Sequence, residues 1–396
     1  MPIKYIDQIP IENKRVFIRV DFNVPIKDGA VADDTRIMQA LPTIEFAIKA
    51  GSKVILASHL GRPKGAGFEE KLSLLPVAEH LSTLLSNNNV IFPEDCVGNA
   101  VKKLSKDLEP GQVMLLENLR FHAEEEKNED SFSQQLAALA DIYINDAFGT
   151  AHRAHSSTAG IAKYLNVKGA GFLMKKEVEF LGNLLSSPQK PFAAILGGAK
   201  VSDKIGVIEN LLGLVDVLMI GGGMAYTFLK AKGISIGKSL VEEEKIHTAT
   251  KIMERASSKG ISVILPSDHL VSDGLKEDSS AKTTADANIP DDMMGLDIGP
   301  KTVIEFAAAI KEAKTIFWNG PLGVFEFEQF SSGTTEIARV IASTEAISVI
   351  GGGDSISAVN KAGVAGKISH ISTGGGASLE FIEGKKLPGL AALETL

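Results

Sequence analysis

Short runs of β-branched and aliphatic residues, each closed by Gly, Asn, Asp or Pro, alternate along the chain with longer segments of helical apolar spacing. This alternation restricts the fold more than any other feature, because repeated strand-then-helix units bury themselves as a parallel sheet covered by helices. The expected class is therefore α/β. In the first half the runs are Arg15–Val20, Lys53–Ala57, Val90–Phe92, Val113–Leu116 and Ile142–Ile144, and in the second Phe192–Leu196, Val217–Ile220, Ile261–Leu265, Thr315–Trp318 and Ile347–Ile350. At 396 residues the chain exceeds one ordinary core, so two similar domains are expected. Between them Leu173, Val178, Phe180, Leu181 and Leu184 recur at helical spacing until Ser186-Ser187-Pro188 stops the pattern, which predicts a helix joining the domains.

A formal net charge of −8 disfavours nucleic acid as a partner, so any anion site must be a local gathering of Arg and Lys. The single cysteine, Cys96, forms no intrachain disulfide and fits a reducing compartment, with the cytoplasm as the expected location. The first residues carry no apolar leader and no segment supplies the ~18 apolar residues of a membrane span, so neither signal nor anchor is expected.

Ligands of open α/β sheets bind beyond the carboxyl ends of the strands. The first-half loops there carry Asp21, Asn23 and Arg36, then Ser58-His59-Leu60-Gly61-Arg62-Pro63, then Glu117-Asn118-Leu119-Arg120, then Asn145 to His155 with His152 and Arg153. Arg36, Arg62, Arg120 and Arg153 on equivalent loops suit a small carboxylate or phosphate ligand held by charge-assisted bonds, whereas any one alone reads as an ordinary surface arginine. The second-half loops differ in kind: Gly197-Gly198-Ala199-Lys200, Gly221-Gly222-Gly223, Asn319-Gly320-Pro321-Leu322-Gly323, Gly351-Gly352-Gly353-Asp354-Ser355 and Ser372-Thr373-Gly374-Gly375-Gly376. Glycines between a strand and a helix let backbone N–H groups approach a phosphate, so this half is the expected nucleotide side, with Lys200 and Lys204 as charges and Asp354 as a magnesium ligand.

Three features read as bland. Gly233-Ile234-Ser235-Ile236-Gly237-Lys238-Ser239 is a residue short of a Walker A loop and follows a helical pattern rather than a strand. His152 and His155 have zinc-like spacing but no obvious further ligands. The acidic stretch Ala123–Asp130 reads as a solvated loop and helix start.

With these residues laid out, the chain resembles the phosphoglycerate kinase family from end to end. The motifs that carry the resemblance are Val20-Asp21-Phe22-Asn23-Val24-Pro25, Ser58-His59-Leu60-Gly61-Arg62-Pro63, Leu116-Glu117-Asn118-Leu119-Arg120-Phe121, Asp146 to His155, Gly197 to Lys204, Trp318 to Glu326, and the two triple-glycine loops near the end. The resemblance implies reversible, Mg²⁺-dependent phosphoryl transfer from 1,3-bisphosphoglycerate to ADP, giving 3-phosphoglycerate and ATP, by closure of two domains in a monomer. It implies Rossmann-like domains at residues 1–171 for the glycerate substrate and 188–377 for the nucleotide. A helix at 172–187 would join them, and a segment from Ser378 to 396 would return to the first domain. Asp21 and Asn23 would bond the glycerate hydroxyl and carboxylate. His59, Leu60, Gly61, Arg62, Arg120 and Arg153 would surround its phosphate, with His152 nearby, and Arg36 would face the transferring group. On the other side Gly198, Lys200, Lys204, Asn319, Gly352, Gly353, Asp354 and Ser355 would hold the nucleotide phosphates and Mg²⁺. Glu326 would accept from the ribose, and Gly375 would offer an N–H at a helix start. Segments 266–273 and 288–297 match less distinctly, so Gly295 belongs to the base pocket only by position.

Phosphoryl transfer asks mainly for alignment, exclusion of water and neutralised charge. Arg36, Lys200 and Mg²⁺ are the expected sources of that charge. A nucleotide-linked dehydrogenase is the first alternative, but no Gly-x-Gly-x-x-Gly turn follows the first strand. An inactive binding module is the second, and its mark would be the loss of Lys200, Arg36 or Asp354, all of which are present.

Overall fold

The computed structural model describes residues 3–85, 89–276 and 279–394. The chain forms two compact units, Met1–Glu179 with Lys386–Leu396, and Phe180–Lys385.

In the first unit β1 (Arg15–Arg19), β4 (Lys53–Ala57), β5 (Val113–Leu115), β6 (Ile142–Asn145) and β7 (Val167–Ala170) make one parallel sheet in the order β5-β4-β1-β6-β7, beside a small hairpin of β2 (Ile26–Lys27) and β3 (Ala30–Val31). Helices cover both faces, so the inner strands are buried along most of their length, and Val16, Ile18, Val54, Leu56, Val113 and Ile144 share one core, while the edge strand β7 begins exposed at Val167. Val90–Phe92 contributes only a bridge at Ile91, because Pro93 has no N–H with which to continue the ladder. The fifth strand is instead β7, whose sequence Val-Lys-Gly-Ala lacks a β-branched run. Its Gly169 lets the Lys4 carbonyl pass where a Cβ would stand 2.6 Å from that oxygen.

The second unit repeats the plan. Here β8 (Phe192–Leu196), β9 (Val217–Ile220), β10 (Ser262–Ile264), β14 (Thr315–Asn319), β15 (Ile347–Gly351) and β16 (His370–Ser372) form a parallel sheet in the order β10-β9-β8-β14-β15-β16. Trp318, at the centre, is fully buried. A second, antiparallel sheet of β11 (His269–Ser272), β12 (Lys282–Thr283) and β13 (Met294–Ile298) falls in the stretch that periodicity left undefined. In both parallel sheets the first strand has the next two on one side and the later ones on the other, so the strand order reverses beside β1 and beside β8. Those are the positions where such sheets open a crevice for ligands.

The helix Phe172–Ser186 runs across the division between the units. Its start is capped from the first unit: Phe172 N–H donates to Thr43 Oγ1 (2.8 Å) and Met174 N–H to Asp146 Oδ1 (3.0 Å). The chain rejoins the first unit later than Ser378. Residues 376–382 form a helix against Ile205–Leu211, with Asn210 Nδ2 donating to Ile382 O (2.6 Å), and the return begins at Lys386. From there Leu387, Leu390 and Leu393 are buried, while residues 395 and 396 lie outside the described residues.

Candidate active site

The loops after β1, β4, β5 and β6 bring most of the expected first-half residues together. Asn23 Oδ1 accepts from the Gly61 N–H (2.8 Å), and Arg36 Nη1 reaches both Asp21 Oδ2 (3.1 Å) and the Asn23 carbonyl (3.2 Å). Arg120 Nη1 donates to the Gly61 carbonyl (2.9 Å), so the loop after β5 is tied to the loop after β4. Asn118 reinforces the tie, accepting from Leu60 N–H (3.2 Å) and donating to Leu60 O (2.8 Å). On the loop after β6, Arg153 Nε lies 3.2 Å from His152 Nε2. Arg62 stands exposed beside Gly61.

These cations leave a clear electrostatic signature on the histidines among them. Burial first, then Arg19, Arg120, Arg36 and Arg153, hold the His59 imidazole well below its usual range. Burial and the same arginines, Arg36 excepted, push His155 down to about 3. Both rings are therefore neutral near pH 7, with the arginines adding to burial in opposing their protonation. Buried Arg120 leaves Nη2 without a hydrogen-bond partner, which costs free energy unless an anion supplies an oxygen.

Two residues of this cluster escape sequence reasoning. Arg19, the last residue of β1, is almost fully buried, with Nε donating to Ser157 Oγ (2.8 Å) and Nη2 lying 3.3 Å from His59 Nδ1. Glu125 belongs to the acidic stretch read as solvated, yet it is fully buried and accepts from Ser157 N–H (3.0 Å) and Ser157 Oγ (2.5 Å). Its carboxylate opposes the Arg19 charge, so Ser157 is held between the two. The legible signal was a charged residue within an apolar run, Ile18-Arg19-Val20.

In the second unit three loop backbones lock together at the strand ends. Gly197 N–H donates to Asn319 O (3.0 Å), Gly198 N–H to Pro321 O (2.8 Å) and Gly222 N–H to Leu322 O (3.1 Å). Glycine is required at two of these crossings. A Cβ on Gly197 would lie 2.1 Å from Pro321 O, and Gly320, at φ +96°, would place one 2.3 Å from Gly197 O. Gly320 N–H donates to Ser355 Oγ (2.6 Å), which turns that buried hydroxyl into part of the scaffold. Lys204 Nζ hydrogen-bonds Asn319 Oδ1, while Asn319 Nδ2 is buried without a partner. Lys200 is exposed; Glu242 fixes the turn that carries it by accepting from Val201 N–H (2.5 Å), Ser202 N–H (3.1 Å) and Ser202 Oγ (2.6 Å). Glu242 is a positioning residue that no spacing pointed to.

Beside these loops lies a cavity of about 390 Å³ whose lining is largely apolar. Gly198, Gly295 and Glu326 border it together with Asp354, which opens the helix Gly353–Lys361. The β13 strand supplies Met294, Gly295 and Leu296, so the antiparallel sheet forms a wall of the pocket. Gly295 is needed there because the Tyr226 hydroxyl lies 2.2 Å from where its Cβ would be. Gly352 precedes the helix at Gly353, and Gly375 precedes the helix Gly376–Ile382, each at positive φ.

A cluster of arginines at the switch point of one parallel sheet, and an apolar pocket bordered by glycines, Glu326 and Asp354 beside the strand ends of another, fit a nucleotide-dependent phosphotransferase. The model of the phosphoglycerate kinase family matches residues 6–385. The chain is 57% identical over its full length, and that of the relative, to a phosphoglycerate kinase of Anaeromyxobacter dehalogenans (strain 2CP-C). It is 54% identical to one of Clostridium botulinum (strain Hall), over 98% of each chain. The solved phosphoglycerate kinase of Coxiella burnetii matches with a TM-score of 0.92 at 45% identity, over 99% of each chain. That of Pyrococcus horikoshii matches with 0.81 at 35%, over 98% of each. The chain belongs to the phosphoglycerate kinase family.

Proposed function

We propose that the chain catalyses reversible phosphoryl transfer from 1,3-bisphosphoglycerate to ADP, the acceptor in the reverse direction being the carboxylate of 3-phosphoglycerate. The observation that carries this reading is the pairing of two chemically different sites on repeated sheets: arginines around neutral His59 in the first unit, glycine-crossed loops with Lys200, Lys204 and Asp354 in the second. Residues 1–171 with the returning segment bind the glycerate substrate, and residues 188–377 bind the nucleotide.

In this reading Asp21 and Asn23 take the glycerate hydroxyl and carboxylate. His59, Arg62, Arg120 and Arg153 hold its phosphate, with Leu60, Gly61 and His152 alongside. Arg36 has only Asp21 and a carbonyl to leave when a more highly charged phosphoryl group arrives. Glu326 accepts from the ribose and Gly295 faces the base, since both border the apolar cavity. Gly198, Lys204, Asn319, Gly352, Gly353 and Ser355 surround the phosphates, where the unpartnered Asn319 Nδ2 suits an anionic oxygen.

Asp354 fits Mg²⁺, a hard cation that takes one or two carboxylates and completes its shell with water and phosphate oxygens. When bound, the ion would neutralise charge on the nucleotide phosphates. Lys200, Arg36 and the Gly375 N–H carry the charge that develops on the transferring group. No general base is required in the ATP-forming direction, because the attacking ADP oxygen is already anionic.

The two ligands belong to different units, so transfer proceeds by closure about the helix Phe172–Ser186. Small-angle scattering with both ligands bound should show a smaller radius of gyration, and an unchanged radius opposes closure. No described helix is long and apolar enough to cross a membrane; we read the enzyme as cytoplasmic and monomeric, with no nucleic-acid partner. The deciding experiment is a coupled assay of ATP formation from 1,3-bisphosphoglycerate and ADP; purified protein without turnover in it would refute the reading.

A further inference from the structure

One set of metal-ligating side chains lies outside both clusters. Asp95 and Cys96 sit on the loop before the helix Asn99–Asp107, and His122 sits on the loop after β5. His122 Nε2 is 2.7 Å from Asp95 Oδ1 and the Cys96 thiol is buried beside them. One donor atom from each residue falls within 4.8 Å of the others. The His122 ring stacks on Phe132 with centroids 5.1 Å apart, and Cys96 N–H donates to Asp95 Oδ1 (2.6 Å), so two of the three ligands are already oriented.

We propose that Asp95, Cys96 and His122 bind a borderline-soft divalent cation such as Zn²⁺, with water as the fourth ligand. Zinc takes imidazole nitrogen and carboxylate oxygen at ~2.0–2.2 Å and thiolate sulfur at ~2.3 Å, so tetrahedral ligand atoms stand about 3–4 Å apart. The three donors reach that spacing by a small spreading of the Asp95–His122 pair. On binding, the thiol proton leaves to solvent as Cys96 becomes a thiolate, and the metal displaces the hydrogen between His122 and Asp95, which leaves to solvent from a protonated ring or passes to Nδ1 of a neutral one. Entry is from the Asp95 side, where the carboxylate is half exposed while the sulfur stays covered. Magnesium does not compete, because it prefers six oxygen ligands and no sulfur. The site shares its loop with Arg120, two residues before His122.

The test is titration of the nucleotide-free, full-length protein with Co²⁺. Cys96 is the sole cysteine, so a thiolate-to-cobalt charge-transfer band reports this site alone. The expected result is a band that saturates at one equivalent, is displaced by Zn²⁺, and is lost in Cys96→Ala and in His122→Gln. Circular dichroism and undiminished ATP formation show that these variants are folded, and Asp95→Asn, at a half-exposed position, serves as a third variant. The absence of a band in the wild-type protein overturns the proposal. So does a band that survives both His122→Gln and Asp95→Asn, since the sulfur would then be binding metal without its neighbours.

Discussion

Lys200 and Arg36 differ from most of their neighbours in having little structural work. Lys200 is exposed, and Arg36 makes only local contacts to Asp21 and the Asn23 carbonyl. Replacing either by Ala should therefore leave the melting temperature nearly unchanged while kcat falls by about 10²–10³-fold, the loss typical of a group that stabilises transition-state charge. Steady-state kinetics on a Lys200→Ala protein with near-normal kcat would remove it from the mechanism. Arg19 would behave differently: its burial against Ser157 and His59 makes its loss a folding defect as well. That contrast explains what was readable. Arg62 and Arg153 lie on loops, Arg36 in the first turn of the helix Thr35–Lys49 and Arg120 in the short turn Leu119–Phe121, all beyond the carboxyl ends of the strands, where a gathering of charges points to a ligand; Arg19 and Glu125 hide in a strand and an acidic run, and only their pairing through Ser157 shows their place.

Two other buried groups make stability depend on pH in opposite senses. Burial lowers His269 to about 4, so the unfolded chain binds a proton there before the native one does; its stabilising effect is full above about pH 6.5 and is lost as the pH falls toward 4. Burial raises Asp297 to about 7 despite hydrogen bonds from Gly333 and Ile298 N–H, so its effect is full below about pH 3.9 and is lost as the pH rises through 7. Urea midpoints measured from pH 4 to 7 should show the gap between wild type and His269→Gln closing toward the acid end. The gap to Asp297→Asn should close toward the neutral end. A gap independent of pH in either case would show that the group does not titrate as its burial demands.

At the scale of elements, the glycine loops separate support from contact. Gly320→Ala forces a positive-φ residue to carry a Cβ into the Gly197 carbonyl, and the variant should lose more than about 2 kcal/mol of stability together with nucleotide affinity. Gly353 begins a helix at ordinary φ with open space around it. Gly353→Ala should keep or slightly raise the melting temperature while increasing KM for the nucleotide, because the added methyl stands where a phosphate would approach. Thermal denaturation and KM measured on both variants check the pair, and a Gly353→Ala protein with unchanged KM would move the phosphates elsewhere. Of the ten runs read as strands, nine form the parallel sheets, since aliphatic runs buried on both faces carry a strong signal. Val90–Phe92 failed because Pro93 ends its ladder. β7 and β16 were invisible because neither carries an aliphatic run, being Val-Lys-Gly-Ala and His-Ile-Ser, and the β11-β12-β13 sheet because its strands interleave polar residues and glycine with the apolar ones, with a bulge between Leu270 and Val271. The pocket wall that carries Gly295 was obscured for the same reason.

At the scale of the molecule, the first unit is discontinuous. Its closing segment buries Leu387, Leu390 and Leu393, and Gly389 N–H donates to Ala151 O (2.8 Å), one residue before His152 and two before Arg153. Ending the chain at Lys385 should therefore destabilise the first unit and raise KM for 3-phosphoglycerate more than KM for the nucleotide. Calorimetry and two-substrate kinetics on the truncated protein decide this; equal effects on both substrates would mean that the segment supports the whole enzyme rather than the anion loops.

The same discontinuity sets an order of events on the ribosome. Domains complete themselves as they emerge, the earlier one first as a rule. Here the earlier unit waits: all of residues 180–385 are synthesised before the three leucines that finish the core of residues 3–179. A nascent chain thus holds the whole of the second unit while the first still lacks its closing leucines, and under the function proposed above translation withholds catalytic competence until residues 386–394 have left the exit tunnel.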